Sequence, residues 1–257
     1  MNHGSAGALA GKTVVVTGAG AGIGLGIVKA AVAAGANVLA VSLEPGEGDA
    51  VAATGAAFLC ADIGAVETPP HMIAHAVDLF GRVDGLVANA GLTMEQPFLD
   101  MTADVLDQMW RVNQRGAALS AQAAARAMVA QGQGGSIVLI GSNHARASLA
   151  GYEGYAGTKA ALSAMGRAMA WSLGPHAIRV NTLGPGLTET EALAAALRLD
   201  PALRDSFAAA HATGRWNSTA EVAAVAVFLL SDASTALSGA EIIADQGMSA
   251  RLGRFDG

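Results

Sequence analysis

Seven short runs rich in aliphatic and β-branched residues recur along the chain, and longer helix-prone stretches fill most of the gaps between them. The runs are KTVVVTG (12–18), NVLAVS (37–42), AAFLCAD (56–62), DGLVANA (84–90), GSIVLIGS (135–142), IRVNTLG (178–184) and AEIIAD (240–245). Helical patterns occupy 22–34, 66–80, 101–130, 153–173 and 218–231. Several runs are apolar at successive positions instead of alternating, which is the pattern of strands covered on both faces in a parallel sheet. Repeated βα units of this kind specify an α/β fold, a doubly wound parallel sheet of about seven strands with helices on both faces. No composition break marks a linker, so residues 1–257 are expected to form one domain. The span 187–217 breaks the rhythm, being helix-prone with no strand before the next helix. An insertion there should sit over the strand ends, either covering a substrate or as a plain surface excursion.

The first run passes directly into the first helix through TGAGAGIG (17–24). Glycines at a strand-to-helix junction allow a tight turn and let backbone N–H groups approach a pyrophosphate facing the helix N-terminus. With a strand before and a helix after, the turn marks a dinucleotide site and makes the sheet Rossmann-like. The residues expected to hold the dinucleotide here are Gly18, Gly22, Ile23 and Gly24. Adenosine selectivity belongs to the end of the second strand, about 20 residues on, where the chain reads Ser42-Leu43-Glu44. Neither that stretch nor the glycine turn holds an arginine or lysine to pair with a 2′-phosphate. Glu44 can take the ribose hydroxyls and would repel a phosphate, so NAD is favoured over NADP. Asp62, ending the third run, either contacts the adenine or caps its turn, and Asn89 closes the fourth run at the cofactor edge.

The only two tyrosines, Tyr152 and Tyr155, stand just before Lys159 in GYEGYAGTK (151–159). On a helix Tyr155 and Lys159, four apart, share a face, whereas Tyr152 is seven positions away, roughly 10 Å along the axis. Removing a hydride from an alcohol carbon requires a base for the hydroxyl proton. A free tyrosine, with a pKa of about 10, is a poor base at neutral pH, and a nearby ammonium stabilises its phenolate. Tyr155 is therefore the chemical tyrosine, and Ser142, at the end of the fifth run, can hold the substrate oxygen.

Taken in order, TGAGAGIG (17–24), NAG (89–91), Ser142 with YAGTK (155–159), and RVNTLGPG (179–186) resemble the short-chain dehydrogenase/reductase family in its shorter, single-domain branch. The resemblance covers about residues 11–250. It implies that Tyr155 is the general acid/base, that Ser142 orients the substrate, and that Lys159 binds the nicotinamide ribose and lowers the tyrosine pKa. It also implies that Asn113 anchors a water in the proton relay. Thr17 would steady the turn, Asn89, Ala90 and Gly91 would border the cofactor, and Thr190, following Pro185-Gly186, would contact the nicotinamide amide. A homotetramer joined through the alanine-rich helices is implied as well. The second run lacks the family's usual Asp or Arg, and the last ends in ADQGMS, where a second glycine commonly follows Asp-Gly. A local change near the C-terminus, without loss of chemistry, is expected.

The substrate pocket should draw on residues between Ser142 and Tyr155 and on the insertion. These are Asn143, His144, Arg146, Tyr152 and Glu153 from the first set, and His211 and Trp216 from the second. So polar a set suggests a small hydroxylated molecule, a sugar, polyol or hydroxy acid. A net charge of −6 with no basic run argues against nucleic acid and anionic membranes as partners. The longest apolar run, Val222–Leu230, is far below the ~20 residues of a membrane span, and the N-terminus has no leader-like apolar core. A cytoplasmic protein is expected. Cys60, the only cysteine, excludes a disulfide framework and is expected to be a buried thiol. His3, His71, His75 and His176 have no further ligand in company, so no metal site is expected. The competing readings are an NADPH-dependent carbonyl or 3-oxoacyl-acyl-carrier-protein reductase, and a non-catalytic dinucleotide sensor. Four intact catalytic positions argue against the sensor.

Overall fold

The computed structural model describes residues 7–251, so His3 and the extreme N-terminus lie outside the described residues. In chain order the elements are β1 (Thr13–Thr17), α1 (Gly22–Ala33), β2 (Asn37–Ser42), α2 (Gly48–Ala52), β3 (Ala57–Cys60), α3 (Thr68–Phe80), β4 (Gly85–Ala88), α4 (Ala103–Met109) and α5 (Ala117–Gln131). They continue with β5 (Gly135–Ile140), α6 (Glu153–Leu173), β6 (Ile178–Pro185), β7 (Thr188–Glu189), α7 (Glu191–Leu199), α8 (Leu203–Ala209), β8 (Asn217–Ser218), α9 (Thr219–Leu230) and β9 (Glu241–Ala244). Seven strands form one parallel sheet in the order β3-β2-β1-β4-β5-β6-β9. The order reverses at β1, which has β2 on one side and β4 on the other. In such sheets a crevice opens outside the carboxyl ends at the reversal.

Both faces of the sheet are covered, which is why its strands read as continuous apolar runs. In β1, Val14 and Val16 enter the core beneath α1 and α9, and Val15 enters the core beneath α3, α5 and α6. Edge strand β3 is shorter than its sequence run, having a neighbour on one side only. The same edge position overturns the expectation of a buried thiol at Cys60. The residue is exposed, and its thiol donates to the Leu43 carbonyl at 3.2 Å.

Two further departures bear on the site. The helix expected across 101–130 is interrupted by a π-helical turn over Trp110–Gly116, between α4 and α5. Such a turn takes in an extra residue and often marks a functional position, and here it carries Asn113. The segment 187–217 enters through β7 and leaves through β8, two-residue strands that pair parallel where no strand was expected. Helices α7 and α8 lie between them. Near the C-terminus, within ADQGMS, Gln246 has a left-handed backbone (φ 56°). A side chain is disfavoured in that conformation. Gln246 is held there because its carbonyl accepts from the Ala212 N–H at 3.0 Å and its side chain from Thr213 Oγ1 at 3.0 Å.

Candidate active site

The glycine turn is fixed by a reciprocal clamp between β1 and β4. Thr17 Oγ1 accepts the N–H groups of Asn89 and Ala90, each at 3.1 Å. Asn89 Nδ2 donates in return to the Thr17 and Gly18 carbonyls at 3.0 and 2.9 Å. Gly18 and Gly22 have positive φ (61° and 51°), the conformation that permits the turn. Helix α1 then starts at Gly22 with no side-chain cap from Ala21 and no acidic residue in its first turn. A helix start left uncapped by its own residues fits an anionic pyrophosphate. Thr190, which caps α7 through its Oγ1, stands beside Gly22, its γ-methyl 3.2 Å from where a Gly22 Cβ would lie.

Gly24 shows how tightly the turn is built. A methyl there would collide with the Gly18 carbonyl and stand 2.7 Å from Asn89 Nδ2. Gly24→Ala is expected to lose about 1–3 kcal/mol of stability through overpacking and to weaken NADH binding about 10-fold or more, because the clamp must open. Thermal denaturation and NADH titration of the purified variant would measure both.

On the adenosine side, Ser42 is buried at the end of β2, and Glu44 is exposed at the tip of the following loop. Asp62 caps the turn after β3. Its Oδ1 accepts the Gly64 N–H at 2.8 Å and its Oδ2 accepts from Arg111 Nη1 at 2.7 Å. The Arg111 hydrogen bond holds this carboxyl below its ordinary pKa, against the opposing effect of burial.

A cleft of about 450 Å³ opens over the carboxyl ends of β4, β5 and β6. It brings together Ser142, Tyr155 and Lys159 with Asn89 and Gly91, and Ile23, Pro185, Gly186 and Thr190 line it too. Ser142 Oγ accepts the His144 N–H at 3.1 Å and has only a long contact, 3.4 Å, to Asn143 Oδ1 as donor. Its hydrogen is thus free to turn to a substrate oxygen. The two tyrosines differ in engagement. Tyr152 donates to Glu95 Oε2 at 2.9 Å, and burial together with that carboxylate raises its pKa, which makes it a worse base. Tyr155 makes no side-chain hydrogen bond among the described residues, and Lys159 Nζ lies 5.8 Å from its ring centroid.

Lys159 is buried and donates to the Ile140 carbonyl at 2.8 Å, and burial lowers its pKa to about 8. The ammonium remains mostly charged at neutral pH, in a setting where its field is weakly screened. Asn113, wholly buried on the π turn, spans the loop after β4. Its Oδ1 accepts the Leu92 N–H at 2.6 Å and its Nδ2 donates to the Leu92 carbonyl at 2.8 Å and to Thr158 Oγ1 at 3.1 Å. A Cβ at Gly91 would lie 3.2 Å from Lys159 Nζ and 3.3 Å from Asn113 Oδ1. The glycine thus keeps the gap between these two groups clear.

Of the residues read as substrate contacts, Asn143, His144, Tyr152 and His211 line the cleft. His144 lies between the tyrosines, its ring centroid 5.0 Å from that of Tyr152 and 5.6 Å from that of Tyr155. Burial lowers its pKa, so the ring is neutral at pH 7. His211 is 5% exposed, its Nδ1 donates to the Phe207 carbonyl at 2.6 Å, and its Nε2 has no partner among the described residues. Arg146, Glu153 and Trp216 are not among the lining residues. Arg146 is paired with Glu241 at 2.8 Å, Glu153 is exposed in the first turn of α6, and the Trp216 ring lies under Arg204 at 5.7 Å. Helical and loop periodicity could not separate these three from the lining residues, because tertiary placement decides where each points. The sequence also gave no sign of Glu95 or Met248, which come from a loop and the C-terminal turn.

The family model described as enoyl-(acyl carrier protein) reductase matches residues 18–249. The chain is 37% identical over 252 residues to L-rhamnose 1-dehydrogenase (NAD(P)(+)) of Sphingomonas sp. (strain SKA58), covering 95% of this chain and 98% of that protein. It is 36% identical over 241 residues to carbonyl reductase [NADPH] 2 of Sus scrofa, covering 92% and 96%. A crystal structure of a short-chain type dehydrogenase/reductase from Mycobacterium marinum superimposes with a TM-score of 0.85 at 32% identity, covering 95% of this chain and 97% of that one. Sequence and fold agree over nearly the whole length, and the protein belongs to the short-chain dehydrogenase/reductase family of NAD(P)-dependent oxidoreductases.

Proposed function

We propose that this enzyme is an NAD-preferring dehydrogenase that reversibly oxidises a secondary alcohol of a sugar or polyol. The observation that carries the reading is the cleft itself, where Ser142 and Tyr155 face a space walled by Asn143, His144, Tyr152 and His211. Bound NAD⁺ supplies the hydride acceptor. Ser142 Oγ donates to the substrate oxygen and Tyr155 Oη receives its proton. The Lys159 ammonium stabilises the negative charge that the Tyr155 oxygen carries before it takes the proton, and Asn113 holds the loop that borders the proton path. A cleft of about 450 Å³ lies within the usual ~300–1,000 Å³ of small-molecule sites. Kinship with a protein named for L-rhamnose supports a sugar. The carboxylates after β2, with no cation beside them in sequence, support NAD.

NADPH-dependent carbonyl reduction is a second reading, favoured by the similarity to carbonyl reductase [NADPH] 2. A homo-oligomer, tetrameric by family resemblance, is part of the proposal. It is supported by an apolar groove between α5 and α6 lined by Ala121, Ala125, Val129, Met165, Met169 and Leu173. A cytoplasmic location fits a chain with a single cysteine.

The test is a panel of sugars, polyols, hydroxy acids and hydroxysteroids mixed with the protein and NAD⁺ or NADP⁺, following absorbance of the reduced nicotinamide. Turnover is expected with a sugar or polyol and NAD⁺, and not with steroids. Steroid turnover alone would reject the polar pocket.

A further inference from the structure

Glu44, exposed at the loop tip, is the acidic residue that the sequence offers to the adenosine ribose. The structure brings a different carboxylate to the glycine turn. The chain after β2 makes a short helical turn over Pro45–Glu47, in which the Glu47 N–H donates to the Glu44 carbonyl at 3.1 Å. That turn folds the Glu47 side chain back across Gly20. A methyl at Gly20 would collide with the Glu47 carboxyl and come within 2.5 Å of its Cβ. Glu47 Oε2 is buried there with no hydrogen-bond partner among the described residues. A buried carboxylate oxygen without a donor is costly, so a ligand that supplies donors at this spot is favoured.

The place is the adenosine end of the dinucleotide site. The Ala19 N–H donates to the Val41 carbonyl at 3.2 Å, joining the glycine turn to the end of β2, and the adenosine ribose of a bound dinucleotide lies at this junction. We propose that Glu47 is the residue that selects the cofactor, its carboxylate accepting the 2′- and 3′-hydroxyls of the NAD ribose and repelling the 2′-phosphate of NADP. A ribose diol brings two O–H donors to the unpartnered oxygen. A 2′-phosphate brings negative charge and no donor at neutral pH, and neither the glycine turn nor residues 42–44 hold an arginine or lysine to offset it. Glycine at position 20 is what leaves room for the carboxylate. The inference rests on the proposed NAD preference and names the residue behind it.

The test is the dissociation constants of NADH and NADPH for the full chain, read by nicotinamide fluorescence, in wild type, Glu47→Gln, Glu47→Ala and Glu44→Gln. The amide of Glu47→Gln keeps the shape against Gly20, and Glu47→Ala is the second variant should the amide disturb the fold. Wild type is expected to bind NADH at least about 10-fold more tightly than NADPH. Either Glu47 variant should narrow that ratio about 10-fold or more, by weaker NADH and tighter NADPH binding, and Glu44→Gln should change it less than about 3-fold. A wild-type preference for NADH that persists in both Glu47 variants overturns the assignment and leaves the NAD reading standing. The same holds if both cofactors weaken equally, since that marks Glu47 as packing alone. A wild type that binds NADPH as tightly as NADH overturns the NAD reading and the role of Glu47 with it.

Discussion

Tyr155→Phe is expected to lower turnover by about 10³-fold or more and to leave NADH affinity within about 3-fold of wild type. General acid–base catalysis by one positioned side chain contributes typically ~10²–10⁴-fold, and the two ring side chains beside Tyr155 are engaged elsewhere. Tyr152 is tied to Glu95 at 2.9 Å with its pKa raised, and His144, though neutral, has Nδ1 within 2.9 Å of Ser148 Oγ. The ring of the variant still packs edge-on to His144 (5.6 Å between centroids in the parent), so only the hydroxyl is lost and the fold should not change. Tyr152→Phe is the control. It removes the other phenol that lines the cleft and should cost turnover less than about 10-fold, mainly through KM, because it removes only a partner hydrogen bond. Steady-state kinetics with the best substrate of the panel and NADH titration decide the matter. Turnover by Tyr155→Phe within about 10-fold of wild type would remove Tyr155 from the role of base.

The elements that place this tyrosine were legible in the sequence because each rests on local physics. Helix α6 has the bounds Glu153–Leu173 that its pattern implied, and β2 matches its run at Asn37–Ser42. Buried parallel strands and the helices covering them announce themselves by apolar density, and the glycine turn by its place between a strand and a helix. What escaped depends on contacts between distant segments. Cys60 sits in an apolar run but on the sheet edge, and no local pattern says which strand is outermost. The π turn carries Asn113, whose side chain is tied to Leu92, about 20 residues away in the chain. Glu44 and Glu47 are equivalent as sequence, three residues apart in a Pro-Gly loop, and only the direction of that loop separates an exposed carboxylate from one laid on Gly20. Arg146 reads in sequence as a pocket residue, and Glu241, from the last strand, pairs with it instead.

Lys159→Met is expected to separate catalysis from stability, because the ammonium serves the first and burdens the second. Burial lowers its pKa from 10.5 to about 8, a shift that corresponds to about 3 kcal/mol of folding free energy. Below pH 8 the group is charged in both folded and unfolded chains, and folding bears the whole cost. As pH rises through 8 the folded chain releases the proton while the unfolded chain keeps it to about 10.5. The unfolded state then binds more protons, and wild-type stability gains on the variant. Methionine lacks that dependence. Its own cost, the Ile140 carbonyl left without the donor now at 2.8 Å, is about 1–3 kcal/mol at every pH. Denaturant titrations should therefore find Lys159→Met close to wild type at pH 7 and less stable than it by about 1–3 kcal/mol near pH 10. Turnover should move the other way. Without an ammonium 5.8 Å from the ring centroid, negative charge on the Tyr155 oxygen loses the Lys159 cation beside it. Alcohol oxidation at saturating NAD⁺ should then fall about 10²–10³-fold at pH 7. A variant whose rate at saturating NAD⁺ stays within about 3-fold of wild type, with only cofactor affinity weakened, would leave Lys159 as a cofactor contact only.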